Sequence, residues 1–155
     1  MRGLIALALW VMALQAHAEP LAKFGWFASM IGSCWVGTFP DGKTRHTHCY
    51  TAQFDQFIRG TAALSVDGVD KFSGDSVFAW DEKEKRIVYH IWGSDGSHST
   101  HEARYTGDEL AFPIRNAYRS VWRRIDAESF EVRRDVPDGS GWKTQLTVVY
   151  RKVAR

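Results

Sequence analysis

Four of the six histidines in this 155-residue chain stand where imidazoles could converge. His46 and His48 are two residues apart in TRHTHCYT, and the strand period of two puts them on one face with Tyr50. His90 and His101 flank Asp95-Gly96. Read as a two-residue hairpin loop, that dipeptide sets Ser94 opposite Ser97 and His90 opposite His101. Their shared face carries Val88, Trp92, Ser99 and Ala103, while Glu102 and Arg104 take the other, so the histidine pair is expected to look inward. Neutral imidazoles placed this way can ligate zinc, copper or haem, or hydrogen-bond a guest in a cavity. The chain has no HExxH and no second cysteine pair. The expectation is therefore a cavity lining without a cofactor, and a haem or zinc site at His90 and His101 is the alternative.

Nucleophilic or acid-base chemistry finds less support. Ser97-His98-Ser99-Thr100-His101 offers hydroxyls and imidazoles, but no strand-turn-helix elbow surrounds them. Glu102 and Glu109 are carboxylates that nothing places across a cleft. A polar hairpin tip and a solvated strand face account for them, so a binding protein is expected rather than an enzyme.

Both cysteines lie in SCWVGTFPDGKTRHTHCYT, on either side of Asp41-Gly42. Setting Pro40 opposite Lys43 and counting outward brings Trp35 opposite His48 and Cys34 opposite Cys49. Directly opposed Cα atoms are about 4.5 to 5.5 Å apart, within reach of a disulfide. The same count assigns the cysteines to the hydrogen-bonded, wider class of pair.

These residues need a scaffold. MRGLIALALWVMALQAHAEP has a basic Arg2, an apolar run and the small residues Ala16 and Ala18 around His17, the pattern of a cleaved secretory signal over residues 1–18. Its apolar core of about a dozen residues falls short of the roughly 20 that span a bilayer, so stable membrane insertion is not expected. The remaining 137 residues from Glu19 make one domain, 19–155, exported to the periplasm or secreted, where paired cysteines oxidise. Loss of Arg2 lowers the formal charge from +2 to +1, which nominates no polyanionic partner. RNAYRSVWRRI interleaves arginines and aromatics as a nucleic-acid surface would. Asp126, Glu128, Glu131 and Asp135 follow closely enough to pair with those arginines, and no nucleic-acid partner is expected.

From Glu19 to Met30, Pro20 and the spacing of Leu21, Phe24, Phe27 and Met30 predict a short helix. Ten segments rich in β-branched and aromatic residues follow: SCWVGTF, TRHTHCYT, FIRGTAAL, DSVFAW, RIVYHIW, STHEARY, ELAF, YRSVWRRI, SFEVRR and KTQLTVVYRK. Short turn signals such as PDGK, DEKEK, SDGS and TGDE separate them and leave no room for crossover helices. The predicted fold is all-β, an antiparallel up-and-down barrel of about ten strands behind a short N-terminal helix.

Ile31-Gly32-Ser33-Cys34-Trp35-Val36-Gly37 resembles the opening of lipocalin-like barrels, where a glycine and a tryptophan sit on the first strand after a short helix. CWVGTFPDG with HCY, FIRG, DSVFAWDEKEKRIVYHIWGSDG and WKTQLTVVYRK are similar to a family of small secreted bacterial calycin-like proteins of unknown function. The resemblance implies a lipocalin-like barrel. Its relatives include carriers of fatty acids and other apolar ligands, and a nitrobindin-like group that binds haem. Two residues separate Gly32 from Trp35 where lipocalins have one, so only Trp35 is carried over, as the residue that floors the barrel. Arg151 of the last strand is the positional candidate to cover it, although Trp142, Leu146, Val148 and Tyr150 read as that strand's inward face. Together the readings predict an exported protein that holds a small apolar molecule against Trp35, His46, His48, Tyr50, His90, Trp92 and His101. The alternatives are the metal or haem site and an interaction or inhibitor protein that uses the outer wall.

Overall fold

The structure, a computed structural model, describes residues 19–114 and 117–153; the expected signal segment lies outside the described residues. Ten strands form one closed antiparallel barrel in which each pairs with its chain neighbours and the last pairs with the first. They are β1 Cys34–Thr38, β2 Thr44–Gln53, β3 Phe57–Val66, β4 Val69–Asp81, β5 Arg86–Gly93, β6 His98–Thr106, β7 Glu109–Ile114, β8 Tyr118–Arg124, β9 Ser129–Asp138 and β10 Gly141–Val153. Every predicted strand is present. Closure satisfies both edges of each strand, the general solution to the edge problem in all-β proteins.

The predicted N-terminal helix is two short pieces, an α-helical turn Glu19–Ala22 (α1) and a 3-10 helix Gly25–Met30. The apolar spacing carries the reason. Leu21, Phe24, Phe27 and Met30 recur every third residue, the period of a 3-10 helix, and Phe24, Phe27 and Met30 are fully buried on its inner face. Gly25 joins the pieces at φ +57, and a Cβ there would meet the Tyr105 hydroxyl oxygen at 3.0 Å and its ring at 3.1 Å. The Tyr105 hydroxyl donates to Phe24 O at 2.6 Å and accepts from Phe27 N at 3.3 Å, which fixes the plug to β6. This segment closes one end of the barrel.

Three of the four Asp-Gly pairs make three different hairpin loops, and the difference decides which side chains face inward. Asp67-Gly68 has φ of +50 and +77 and joins Val66 to Val69 directly, the two-residue type I′ form. At Asp41-Gly42 only Gly42 is left-handed, and the ladder closes at Phe39 N–H to Thr44 O, so the loop has four residues. Asp41 instead accepts from the Thr44 hydroxyl and from the N–H groups of Thr44 and Lys43, and these bonds lower its pKa. Adding one residue on each side leaves the register intact, and Cys34 lies opposite Cys49 as counted. It does swap the class of pair. Phe39 and Thr44 are now hydrogen-bonded partners, so the cysteines take the narrow non-hydrogen-bonded site, with Cα atoms 4.0 Å apart and the disulfide formed.

Asp95-Gly96 corrects the prediction. Gly93 and Ser97 close the loop, Gly96 N–H returns to Gly93 O, and Gly96 alone is left-handed at φ +81. This is the three-residue turn with a terminal left-handed glycine. The extra residue slips β5 by one against β6, so His90 pairs with Thr100 and His101 with Tyr89. A slip of one reverses a strand's faces. Ile87, Tyr89 and Ile91 point inward on β5, while His90 and Trp92 stand exposed on the outer wall.

A bulge between Thr144 and Leu146 has the same effect on β10. Leu146, Val148 and Tyr150 face inward as predicted, but Trp142 lies beyond the bulge and is exposed, with the Arg119 guanidinium 4.5 Å above its ring. The arginines of β8 find the expected acids: Arg119 meets Asp135 at 3.1 Å and Arg123 meets Glu131 at 3.3 Å. Asp126 and Glu128 pair elsewhere, through a backbone bond from Arg124 and an ion pair with Lys152.

The disulfide spans 15 residues of sequence. Its removal in a Cys34→Ser, Cys49→Ser variant is expected to lower the unfolding free energy by about 3 kcal/mol in the chain-entropy picture. Urea unfolding of both proteins checks this, with a lower midpoint expected for the variant and an m-value equal to or slightly above the parent's, because the chain without the cross-link unfolds to a more open ensemble.

Candidate functional site

Above the plug the barrel is hollow. A cavity of about 430 Å³ opens at the end opposite the 3-10 helix. Its base is aromatic: Phe27 inserts from the plug and meets Tyr50 at 5.2 Å, Phe78 at 5.0 Å and Trp122 at 6.2 Å, all edge-on. Trp122 stacks on Phe130 at 5.3 Å and tilts against Phe112 at 4.7 Å, and its indole N–H donates to Ser120 Oγ at 2.9 Å. Phe39, Phe72 and Tyr118 stand at the mouth. Apart from Asp75 and the loop residue Phe39, the cavity residues are on the inward phase of their strands, so alternation supplies the lining and its depth follows from strand position.

His46, His48 and Tyr50 step down one wall from β2 as predicted. The two imidazoles are 4.1 Å apart between ring centres. His46 Nδ1 shares a 3.0 Å hydrogen bond with the Tyr150 hydroxyl, and His48 packs between Trp122 at 5.5 Å and Tyr150 at 5.5 Å, parallel to Tyr50. Burial moves every one of these groups toward its neutral form. Loss of hydration lowers the His46 pKa, and it lowers that of His48 much further, with the neighbouring His46 charge adding to the effect. The same desolvation raises Tyr50, Tyr89 and Tyr150. At neutral pH this wall is polar and uncharged.

The remaining predicted site residues are placed differently. Trp35 is buried one layer beneath the cavity, edge-on to Phe130 at 5.4 Å with its indole N–H directed to Met30 O at 3.5 Å. Phe130 packs on it; Arg151 is exposed and does not cover it. His90 and Trp92 stack on each other on the outer wall, and Thr100 Oγ1 hydrogen-bonds His90 Nδ1 at 2.9 Å. His101 keeps the inward phase of β6 and lies against Tyr89, but it borders a separate polar depression with Ser99 and Glu102. His90 and His101 therefore do not converge. Among the described residues no group of three or more His, Cys, Asp or Glu is arranged to hold a metal ion.

Phe78, Tyr89, Phe112 and Arg134 also line the cavity and were not among the residues expected there, while Trp122, at a strand position consistent with core or lumen, was not singled out as a site residue. Tyr118, Ser120 and Trp122 alternate in YRSVWRR and share the inner face of β8, with Arg119 and Arg123 on the outer one. No family model matches the chain, and no curated protein is significantly similar to it.

The histidine wall makes a prediction about acid. Because both imidazoles have lower pKa values folded than unfolded, the unfolded chain takes up protons first, and stability falls as pH drops below about 6.5. It goes on falling until the depressed folded values are passed. A His48→Gln variant is expected to lose less of its melting temperature between pH 7 and 5 than the parent, as followed by circular dichroism.

Proposed function

We propose that the protein is an exported carrier that holds a small, largely apolar molecule non-covalently in the barrel. The observation that carries this reading is the cavity of about 430 Å³, closed by the plug and open at one mouth, with walls mainly of aromatic rings. Its volume lies toward the lower end of the roughly 300 to 1,000 Å³ range of small-molecule sites. His46, His48 and Tyr150 supply a few neutral hydrogen-bonding groups on one wall, the usual means of orienting a guest in an apolar pocket. Export is supported by the Cys34–Cys49 disulfide and by the signal-like residues 1–18. A haem or zinc reading would rest on His46 and His48 alone.

Trp92 and Trp142 favour the interaction reading, since both are exposed on the outer wall. They stand on β5 and β10, which are not neighbours in the barrel, and so give no continuous apolar patch. The carrier reading takes precedence.

Native mass spectrometry of protein exported to a periplasm is expected to show a co-purifying small molecule, or an empty barrel that binds the neutral fluorophore N-phenyl-1-naphthylamine one to one. Ala62 lies on the cavity wall opposite His48 on the neighbouring strand. Ala62→Trp is expected to weaken probe binding by at least about tenfold, the loss of about 1.4 kcal/mol, without lowering the melting temperature. A parent protein that takes up neither guest nor probe would remove the carrier reading.

A further inference from the structure

Resting on the carrier reading, we infer that the guest is a flat aromatic acid whose anionic group sits at the cavity mouth on Arg134 and Ser120. Among the described residues Arg134 is the one cavity-lining side chain that brings a full charge to the mouth unpaired. Asp75 also borders the cavity, but its carboxylate is spent on Arg59 at 3.3 Å, where both side chains are half exposed. No carboxylate of the described residues lies within ion-pair distance of the Arg134 guanidinium, whereas Arg119, Arg123 and Arg133 on the outer face of β8 and β9 are all engaged with acids.

Arg134 is also held in place. Its guanidinium lies over the Tyr118 ring, 4.2 Å from the centroid, which fixes the plane of its donors while leaving their edges open. Directly across the ladder from Arg134 is Ser120, whose oxygen already accepts the Trp122 indole N–H. The Ser120 hydroxyl proton is thereby left to donate. A planar cation and a hydroxyl donor side by side at the rim of an apolar cavity suit a carboxylate or sulfonate. Below them, the neutral imidazoles of His46 and His48 and the ring faces of Phe78, Phe112 and Trp122 offer no second charge. Ring walls match a rigid flat guest, which has little conformational freedom to lose on binding.

Two probes of nearly one skeleton separate the claims: the anionic 1-anilinonaphthalene-8-sulfonate and the neutral N-phenyl-1-naphthylamine, titrated by fluorescence against the full exported protein. The parent is expected to bind the anion about tenfold or more tighter than the neutral probe, as a charge-assisted hydrogen bond provides. In Arg134→Gln that preference is expected to disappear while the neutral affinity and melting temperature stay as they are. Arg134→Lys, which keeps the charge and loses the planar fork, is expected to recover part of it. Equal affinity for the two probes in the parent, or a preference that survives Arg134→Gln, would overturn the assignment of the anion to Arg134 and leave the carrier reading standing. Binding of neither probe would remove the carrier reading itself. Displacement of the anionic probe by 1-naphthoate but not by decanoate is expected; the reverse order would refute the aromatic part of the inference.

Discussion

The insertion of Phe27 into the end of the barrel is the contact on which the site depends. Ten strands alone enclose a tube open at both ends. Phe24, Phe27 and Met30 turn it into a cup, because each third residue of a 3-10 helix faces the same way and all three are buried. Phe27 meets β2, β4 and β8 through Tyr50, Phe78 and Trp122, so one side chain ties together three separate parts of the wall. Tyr105 and Trp26 bind the plug to the wall, the latter through its indole N–H to Asp108 O at 2.9 Å.

Closing that end sets the electrostatics of the cavity. Water is excluded from the base, so the charged forms of His46 and His48 lose hydration that no nearby carboxylate replaces. Their pairing with Tyr150 then favours a neutral hydrogen-bonded wall. The contrast with the exterior is sharp: there Arg119, Arg123 and Arg133 meet Asp135, Glu131 and Glu109. One wall of alternating residues thus carries ion pairs outside and aromatic rings inside, and among the described residues Arg134 is the cation that lines the cavity.

Much of this was legible before any coordinates. The ten strands, the disulfide hairpin, the plug and the His46, His48, Tyr50 face follow from alternation, turn residues and apolar spacing. The placement of His90 and Trp92 did not follow, because Asp-Gly is compatible with loops of two, three or four residues and all three occur here. The dipeptide is a turn signal without a length. At Asp41-Gly42 the loop grew by one residue on each side and the pairing survived; at Asp95-Gly96 it grew by a single residue and a whole strand was reversed. The bulge between Thr144 and Leu146 moved Trp142 outward by the same arithmetic. Arg134 is not legible in the same way, because a cation in a run of arginines reads as solvated, and its phase relative to Phe130 and Val132 is what places it at the cavity.

The sequence by itself determined which residues share a face within each unbulged stretch of strand, since successive side chains there point to opposite sides. It also determined that the first hairpin locks through its cysteines, because that loop kept its register. Tertiary structure decided which face of each strand is the inner one, how deep the plug reaches, and that Arg134 stands at the mouth. Those outcomes depend on the register between neighbouring strands. Register is set by single residues in loops and bulges, and their conformation is selected by packing across the closed barrel rather than by local propensity.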